Sequence, residues 1–286
     1  MSDRINAIDH VMIHVPASQS AGAVFERLGF AVTPKSGMPG LSNRLVCFGD
    51  TPHQNGVCNY FELMALEDAQ AAPSPMPRLL NGFGPVSTVM AVDDTWAVTE
   101  RLQQGGMAIG PVLELQRDWA LSDGTVITPA FSVAIPDLGQ APVYWNYCRH
   151  KTAHHYVRRE FVTHPNTALA FDAVYAIVDD PDAAAAHYAR TWQARVDGDR
   201  LVLPEGPAMH LMTAQTAKSV LPDDLMTTDR PGLKGLRVRV GDVAKARDVI
   251  EDGGIAAVDL PGGFAVRAAD AAGCALLFGE RHATDR

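Results

Sequence analysis

The sequence predicts an α+β protein built from four βαβββ modules. One order of elements recurs along the chain, each helix opens near a polar capping signal, and glycines close three of the four helices. A pattern that repeats every roughly 65 to 85 residues is the mark of a modular fold rather than of a single irregular one.

In the first module, Ile8 to Val15 alternates in strand fashion, and Ala21 to Leu28 has helical spacing and stops at Gly29. Phe30 to Pro34, Arg44 to Phe48 and Asn59 to Leu66 read as three further strands. The second module repeats this with a strand over Pro85 to Val92 and a helix over Asp94 to Gln104, closed by Gly105-Gly106. Strands over Ala108 to Leu115, Val126 to Ile135 and Ala141 to Cys148 complete it. The third opens at Phe171 to Val178, carries a helix from Asp182 to Trp192, and has short strands near Ala194, Arg200 and Met209. The fourth runs from Gly235 to Val240 through a helix over Val243 to Asp252 to strands near Ala256, Phe264 and Ala275. Ser18/Ser20, Asp93-Asp94, Pro181-Asp182 and Asp242 stand at the helix entries, where short polar side chains cap free N–H groups. The division expected is residues 1–150 for modules one and two and 151–286 for modules three and four, with 150–168 as linker.

A net charge of −9, with no dense run of Lys and Arg, argues against a nucleic-acid-binding surface. No apolar run reaches the roughly 18 residues of a membrane span, and Met1 to Ile8 lacks a signal-peptide pattern. The four cysteines, Cys47, Cys58, Cys148 and Cys274, form no C-x-x-C pair, so free thiols in a reducing cytoplasm are expected.

Ile8-Asp9-His10-Val11, Glu26-Arg27-Leu28-Gly29-Phe30, Asn43-Arg44-Leu45 and Tyr60-Phe61-Glu62-Leu63 together resemble the glyoxalase-like domain family of the vicinal-oxygen-chelate superfamily. The resemblance is specific in the first module and continues weakly through Cys148-Arg149-His150 and His164-Pro165-Asn166. Where relatives carry a Gly-x-His segment, this chain reads Ser36-Gly37-Met38-Pro39-Gly40. The resemblance implies half-barrel domains, each formed by two modules that wrap a cupped sheet around a divalent metal chelating vicinal oxygens of a substrate. The same fold also hosts metal-free binding proteins, so fold alone does not choose the activity.

His10 on the first strand and Glu62 on the last strand of module one can both point into one barrel, and imidazole plus carboxylate suits Fe, Mn, Ni, Co or Zn. Repeat alignment sets Ser87 opposite His10 and Asn146 opposite Glu62, neither of them a strong ligand. His150 shares the parity of Asn146, so His10, Glu62 and His150 form the preferred set. His210 is the alternative third ligand, because it aligns with Glu62 if module three closes the barrel. His14, Asn146, Trp145 and Tyr147 are pocket candidates, although Trp145 and Tyr147 share one strand face and Asn146 the other. His53, His187 and His282 read as surface residues.

The expected activity is a metal-dependent lyase or isomerase acting on a small oxygenated compound, with Glu62 doubling as a proton-transfer base. An extradiol-type dioxygenase and a metal-free sequestering protein are the alternatives. The expected partner is a small molecule, and the sequence leaves open whether modules pair within one chain or across a homodimer.

Overall fold

The computed structural model describes residues 2–137, 139, 141, 143–222, 224–226 and 230–280. The first half runs β1 (Ile5–His14), α1 (Ser18–Arg27), β2 (Ser36–Met38), β3 (Leu41–Cys47), β4 (Tyr60–Leu66), α2 (Met76–Leu79) and β5 (Gly84–Val92). It continues with α3 (Thr95–Gln104), β6 (Leu113–Gln116), β7 (Trp119–Ala120), β8 (Val126–Ile127), β9 (Ala130–Ala134) and β10 (Tyr144–His150). After α4 (Arg159–Val162) come β11 (Ala168–Ile177), α5 (Pro181–Trp192), β12 (Arg195–Asp197), β13 (Arg200–Val202), β14 (Ala208–Met212) and α6 (Ala214–Val220). The chain then forms β15 (Gly232–Val240), α7 (Val243–Asp252), β16 (Val258–Leu260), β17 (Gly263–Val266) and β18 (Ala275–Gly279).

These strands form two mixed eight-stranded sheets, ordered β2-β3-β4-β1-β5-β10-β9-β6 and β12-β13-β14-β11-β15-β18-β17-β16, and a separate two-stranded ribbon of β7 and β8. Each sheet joins two modules through its central antiparallel pair, β1 with β5 and β11 with β15. Modules therefore pair in sequence order within the chain, as short connections favour. This is the α+β vicinal-oxygen-chelate architecture.

The repeat register also emerges. His10 faces Tyr60 across β1 and β4, and Ser87 faces Tyr144 across β5 and β10, so His10 and Ser87 are equivalent, as are Glu62 and Asn146. One continuous core fills the space between the sheets. Phe61 meets Phe171 at 5.3 Å, Phe30 meets Phe278 at 6.2 Å and Trp145 meets Trp192 at 5.8 Å between ring centroids.

Some element boundaries differ from the sequence expectation. Phe30 to Pro34 is not a strand. Its Thr33 joins β3 by single bonds, accepting from Leu45 N through Oγ1 and donating its own N–H to Leu45 O. The expected strand over Ala108 to Leu115 shortens to β6, and Val126 to Ile135 splits at Pro129 into β8 and β9. Proline lacks the donor that a continuous ladder needs. Asp94 and Asp242 cap α3 and α7 as expected, whereas α5 is capped by Asp180. Ser18 sits inside α1 and bonds Ser42 Oγ instead of capping.

Candidate functional site

On the face of the first sheet away from the shared core lies a cavity of about 280 Å³. Strand alternation decides what lines it: Met12 on β1, Glu62 and Met64 on β4, Val89 on β5 and Asn146 on β10 all point the same way. Met38 from β2, and Pro73, Ser74 and Met76 from the segment after β4, close its outer end. Its polar groups gather at the other end.

A break in strand register builds that polar end. The β1–β5 pairing shifts between Ile8 and His10, so Asp9 is the extra residue of a β-bulge. Its side chain emerges beside that of His10 instead of on the opposite face. Fully buried Asp9 accepts from His10 Nδ1 at 2.7 Å and His150 Nε2 at 2.9 Å through Oδ1, and from Cys58 N at 2.7 Å through Oδ2. Burial pushes its acidity the other way, but the His150 charge and the two imidazole hydrogen bonds hold Asp9 below the ordinary carboxylate value. Burial likewise opposes a charge on His150, yet Cys148 and Asp9 lift it to about 10. The Cys148 thiol is itself raised by burial, so at neutral pH the Asp9 carboxylate supplies the counter-charge.

His10 is the opposite case. Burial dominates and lowers it despite the Asp9 bond, so its imidazole is neutral. An ionised carboxylate only accepts, so the His10 proton sits on Nδ1 and the Nε2 lone pair faces the cavity. Tyr60 OH lies 3.1 Å from that nitrogen, and Glu62 Oε2 lies 3.7 Å from it. Glu62 Oε1 is fixed by Asn43 Nδ2 at 2.5 Å and Arg117 NH1 at 3.2 Å. Burial disfavours the Arg117 cation, but Glu62 and the Tyr156 and Tyr60 side chains outweigh it and raise the guanidinium further. Arg117 also lies over the Phe131 ring, 5.1 Å from its centroid.

Of the sequence candidates, His10, Glu62 and Asn146 line one cavity. His150 is adjacent, but its Nε2 bonds Asp9 and does not join His10 and Glu62 as a third ligand. His210 lies on β14 of the second sheet, stacks on Tyr175 and bonds Asp199, so it cannot complete a site in the first sheet. His14 turns to the rim, donating to Gly82 O at 2.7 Å against the Phe83 ring. Trp145 and Tyr147 bond each other within the core between the sheets, where strand alternation sends them, and not in the pocket. His187 is exposed, as expected, His53 is partly buried, and His282 lies outside the described residues.

Sequence reasoning missed three polar groups. Asp9 stood in the Ile8-Asp9-His10 motif, but regular alternation sends it to the wrong face. Asn43 was likewise in a quoted motif without an assigned task. Arg117 comes from a loop 55 positions beyond Glu62, and no local pattern marks it.

Whether these residues suit a divalent ion follows from their donors. His10 Nε2 and Glu62 Oε2 lie 3.7 Å apart, with the Tyr60 hydroxyl 3.1 Å from the nitrogen, and the carboxylate behind His10 is a common support for a metal-binding imidazole. They provide two ligand atoms, and among the described residues no further His, Cys, Asp or Glu atom groups with both. Asp9, Cys58 and His150 form a second group able to hold a metal, with one ligand atom each within 4.8 Å of the others. Every Asp9 oxygen there already accepts an N–H bond, so an ion would have to displace that network.

Paired βαβββ modules curled over a His/Glu cavity define a vicinal-oxygen-chelate protein. The glyoxalase-like domain matches residues 8–192, more than half of the chain, and the protein belongs to that family. Comparison with curated proteins gives no match. Among solved structures, a hypothetical protein from Staphylococcus aureus superposes with a TM-score of 0.61 at 8% identity, covering 97% of this chain and 100% of that one. A mutant 4-hydroxymandelate synthase from Streptomyces coelicolor gives 0.58 at 13%, covering 98% and 94%. The Mn(II)-bound glyoxalase from Novosphingobium aromaticivorans gives 0.53 at 8%, covering 96% and 82%. At these identities the likeness is one of fold.

Proposed function

We propose that this protein is a lyase or isomerase that moves a proton on a small oxygenated compound bound in the first-sheet cavity. The observation that carries this reading is the His10 imidazole, fixed through Nδ1 on buried Asp9, whose unprotonated Nε2 accepts from Tyr60 OH at 3.1 Å and lies 3.7 Å from Glu62 Oε2. A neutral imidazole whose proton is locked on the far nitrogen is a positioned general base. It removes a proton from the carbon beside a substrate carbonyl, and the C–H electron pair moves into the carbonyl to give an enolate. The N–H groups of Arg117 and Asn146 then stabilise the developing oxygen charge. In a β,γ-unsaturated substrate, return of the proton from His10 or through Glu62 to the γ carbon moves the double bond into conjugation and completes an isomerisation, whereas a substrate with a leaving group on the β carbon expels it with the enolate's electron pair and completes an elimination.

In a second reading, favoured by the 3.7 Å approach of His10 Nε2 and Glu62 Oε2, these two residues would hold a divalent ion. Such an ion would act as a Lewis acid on the substrate oxygen. The two readings separate in one experiment. Purified protein is analysed for Fe, Mn, Ni, Co and Zn, and deuterium uptake into a bound ketone is followed by mass spectrometry with and without chelator. Uptake that survives the chelator and disappears in His10→Gln supports the first reading. One equivalent of metal, lost in His10→Ala together with the uptake, supports the second. Absence of uptake in the wild type under all conditions sinks both.

A further inference from the structure

We propose that the substrate is an uncharged molecule with one oxygen-acceptor head and a flexible hydrocarbon tail, bound head inward and tail toward the segment that carries Met76. This rests on the proton-transfer reading for what happens to the head and on the cavity alone for what binds.

The ends of the cavity differ, and strand register fixes their order. Along β1 and β4 the lining runs from His10 beside Tyr60, through Met12 beside Glu62, to Met64 beside His14. Along β9 and β10, Phe131 pairs with His150 at the polar end, and Ala134 with Tyr147 toward the other. All the charged groups therefore lie at one end. The outward half is walled by Met38, Met64, Met76, Val133 and Ile135. Unbranched, polarisable methionines adapt to a tail of variable shape better than branched side chains do. Filled at the density of a protein interior, the cavity holds about ten non-hydrogen atoms.

An acceptor head suits this end because two donors there lack a good partner. Arg117 Nε is buried without a hydrogen-bond partner. The partner of Asn146 Nδ2 is the Met12 sulfur at 3.8 Å, a weak acceptor that a ligand oxygen would replace with gain. The head is uncharged because the ionic groups are already matched in pairs. Arg117 faces Glu62, and His150 faces Asp9, each pair buried. A carboxylate head would enter beside the Glu62 carboxylate with no unmatched cation to meet it, and a buried charge without a partner is strongly disfavoured.

The test is calorimetric titration at neutral pH with methyl heptyl ketone, nonanoate and methyl propyl ketone. We expect methyl heptyl ketone to bind about tenfold or more tighter than the short ketone, since each buried methylene adds affinity, and to bind at least about tenfold tighter than nonanoate. Met76→Trp should weaken the long ketone and leave the short one unchanged, and Asn146→Leu should weaken both ketones about tenfold. Nonanoate binding as tightly as the ketone, affinity independent of tail length, or no binding of either ketone would each overturn the proposal. Ketone binding in the expected order with no deuterium uptake leaves the proposal standing and defeats proton transfer instead. Uptake into a ketone accompanied by tighter nonanoate binding does the reverse.

Discussion

Asp9 accepts three N–H bonds while wholly buried; its charge helps hold His150 protonated, whereas burial keeps His10 neutral despite the same carboxylate. Asp9→Asn keeps the shape and removes the charge. It should cost about 3 kcal/mol of stability in urea unfolding, because the partner imidazolium loses its counter-ion, and it should abolish deuterium uptake by freeing the His10 tautomer. The same hub gives a pH dependence with two opposite limbs. Asp9, held below its ordinary value, contributes stability that is complete above the unfolded carboxylate value and is lost as pH falls through the lower folded one. His150, lifted from 6.5 to about 10, contributes stability that is complete below 6.5 and is lost as pH rises toward 10. Urea midpoints measured across that alkaline range should therefore fall, and His150→Gln should flatten the fall. An unchanged alkaline slope in His150→Gln would remove the assignment.

Elements hold these residues in place through local devices with separable energies. The bulge in β1 brings two consecutive side chains, Asp9 and His10, to one place, which a regular strand cannot do. Asp94 caps α3 by accepting from Trp96 N and Ala97 N, so Asp94→Ala should lower stability by about 1 kcal/mol, read as a shift in urea midpoint with unchanged slope. Gly84 opens β5 at φ +100°, and a Cβ there would stand 2.7 Å from Gly273 O. Gly84→Ala combines a conformation that L residues avoid with a clash against backbone where the two sheets meet. A thermal scan should show a loss of about 2 kcal/mol or more. The cap is independent of the cavity, whereas Gly84 lies on the strand that carries Val89 into it.

Across the whole molecule, side chains knit the two sheets together with bonds that imitate backbone pairing. Asn59 donates to Phe171 O and accepts from Phe171 N, and Asn166 donates to Leu28 O. His164 accepts from Ala31 N and donates to Cys47 O, a double task that only a neutral ring can perform; burial pushes it down to about 4. Asn59→Ala leaves two buried backbone groups of Phe171 without these partners and should cost about 3 kcal/mol. With one core running between the sheets, calorimetry should show both halves melting together in a single, lowered transition. Two separated transitions in the wild type would contradict that coupling. The segment around His164, part of the 150–168 linker expected from sequence, is thus one of the joints between halves.

The sequence by itself determined the repeat, the α+β class and three of the residues that line the candidate cavity. Strand alternation and helix spacing are local properties of the chain, and they placed His10, Glu62 and Asn146 on one face of one sheet, with Ser87 and Asn146 at the repeat-related positions. Only the tertiary structure decided what completes the site. A bulge is a one-residue slip that alternation cannot signal, so Asp9 was hidden beside a residue already singled out. Arg117 reaches Glu62 from a distant loop, and His150 turns to Asp9 because a buried carboxylate must be satisfied by whatever donors the fold brings near. His210 left the site because which sheet a strand joins is settled by packing between elements, whereas Trp145 and Tyr147 left it by the alternation of β10 itself, which sets them on the face opposite Asn146.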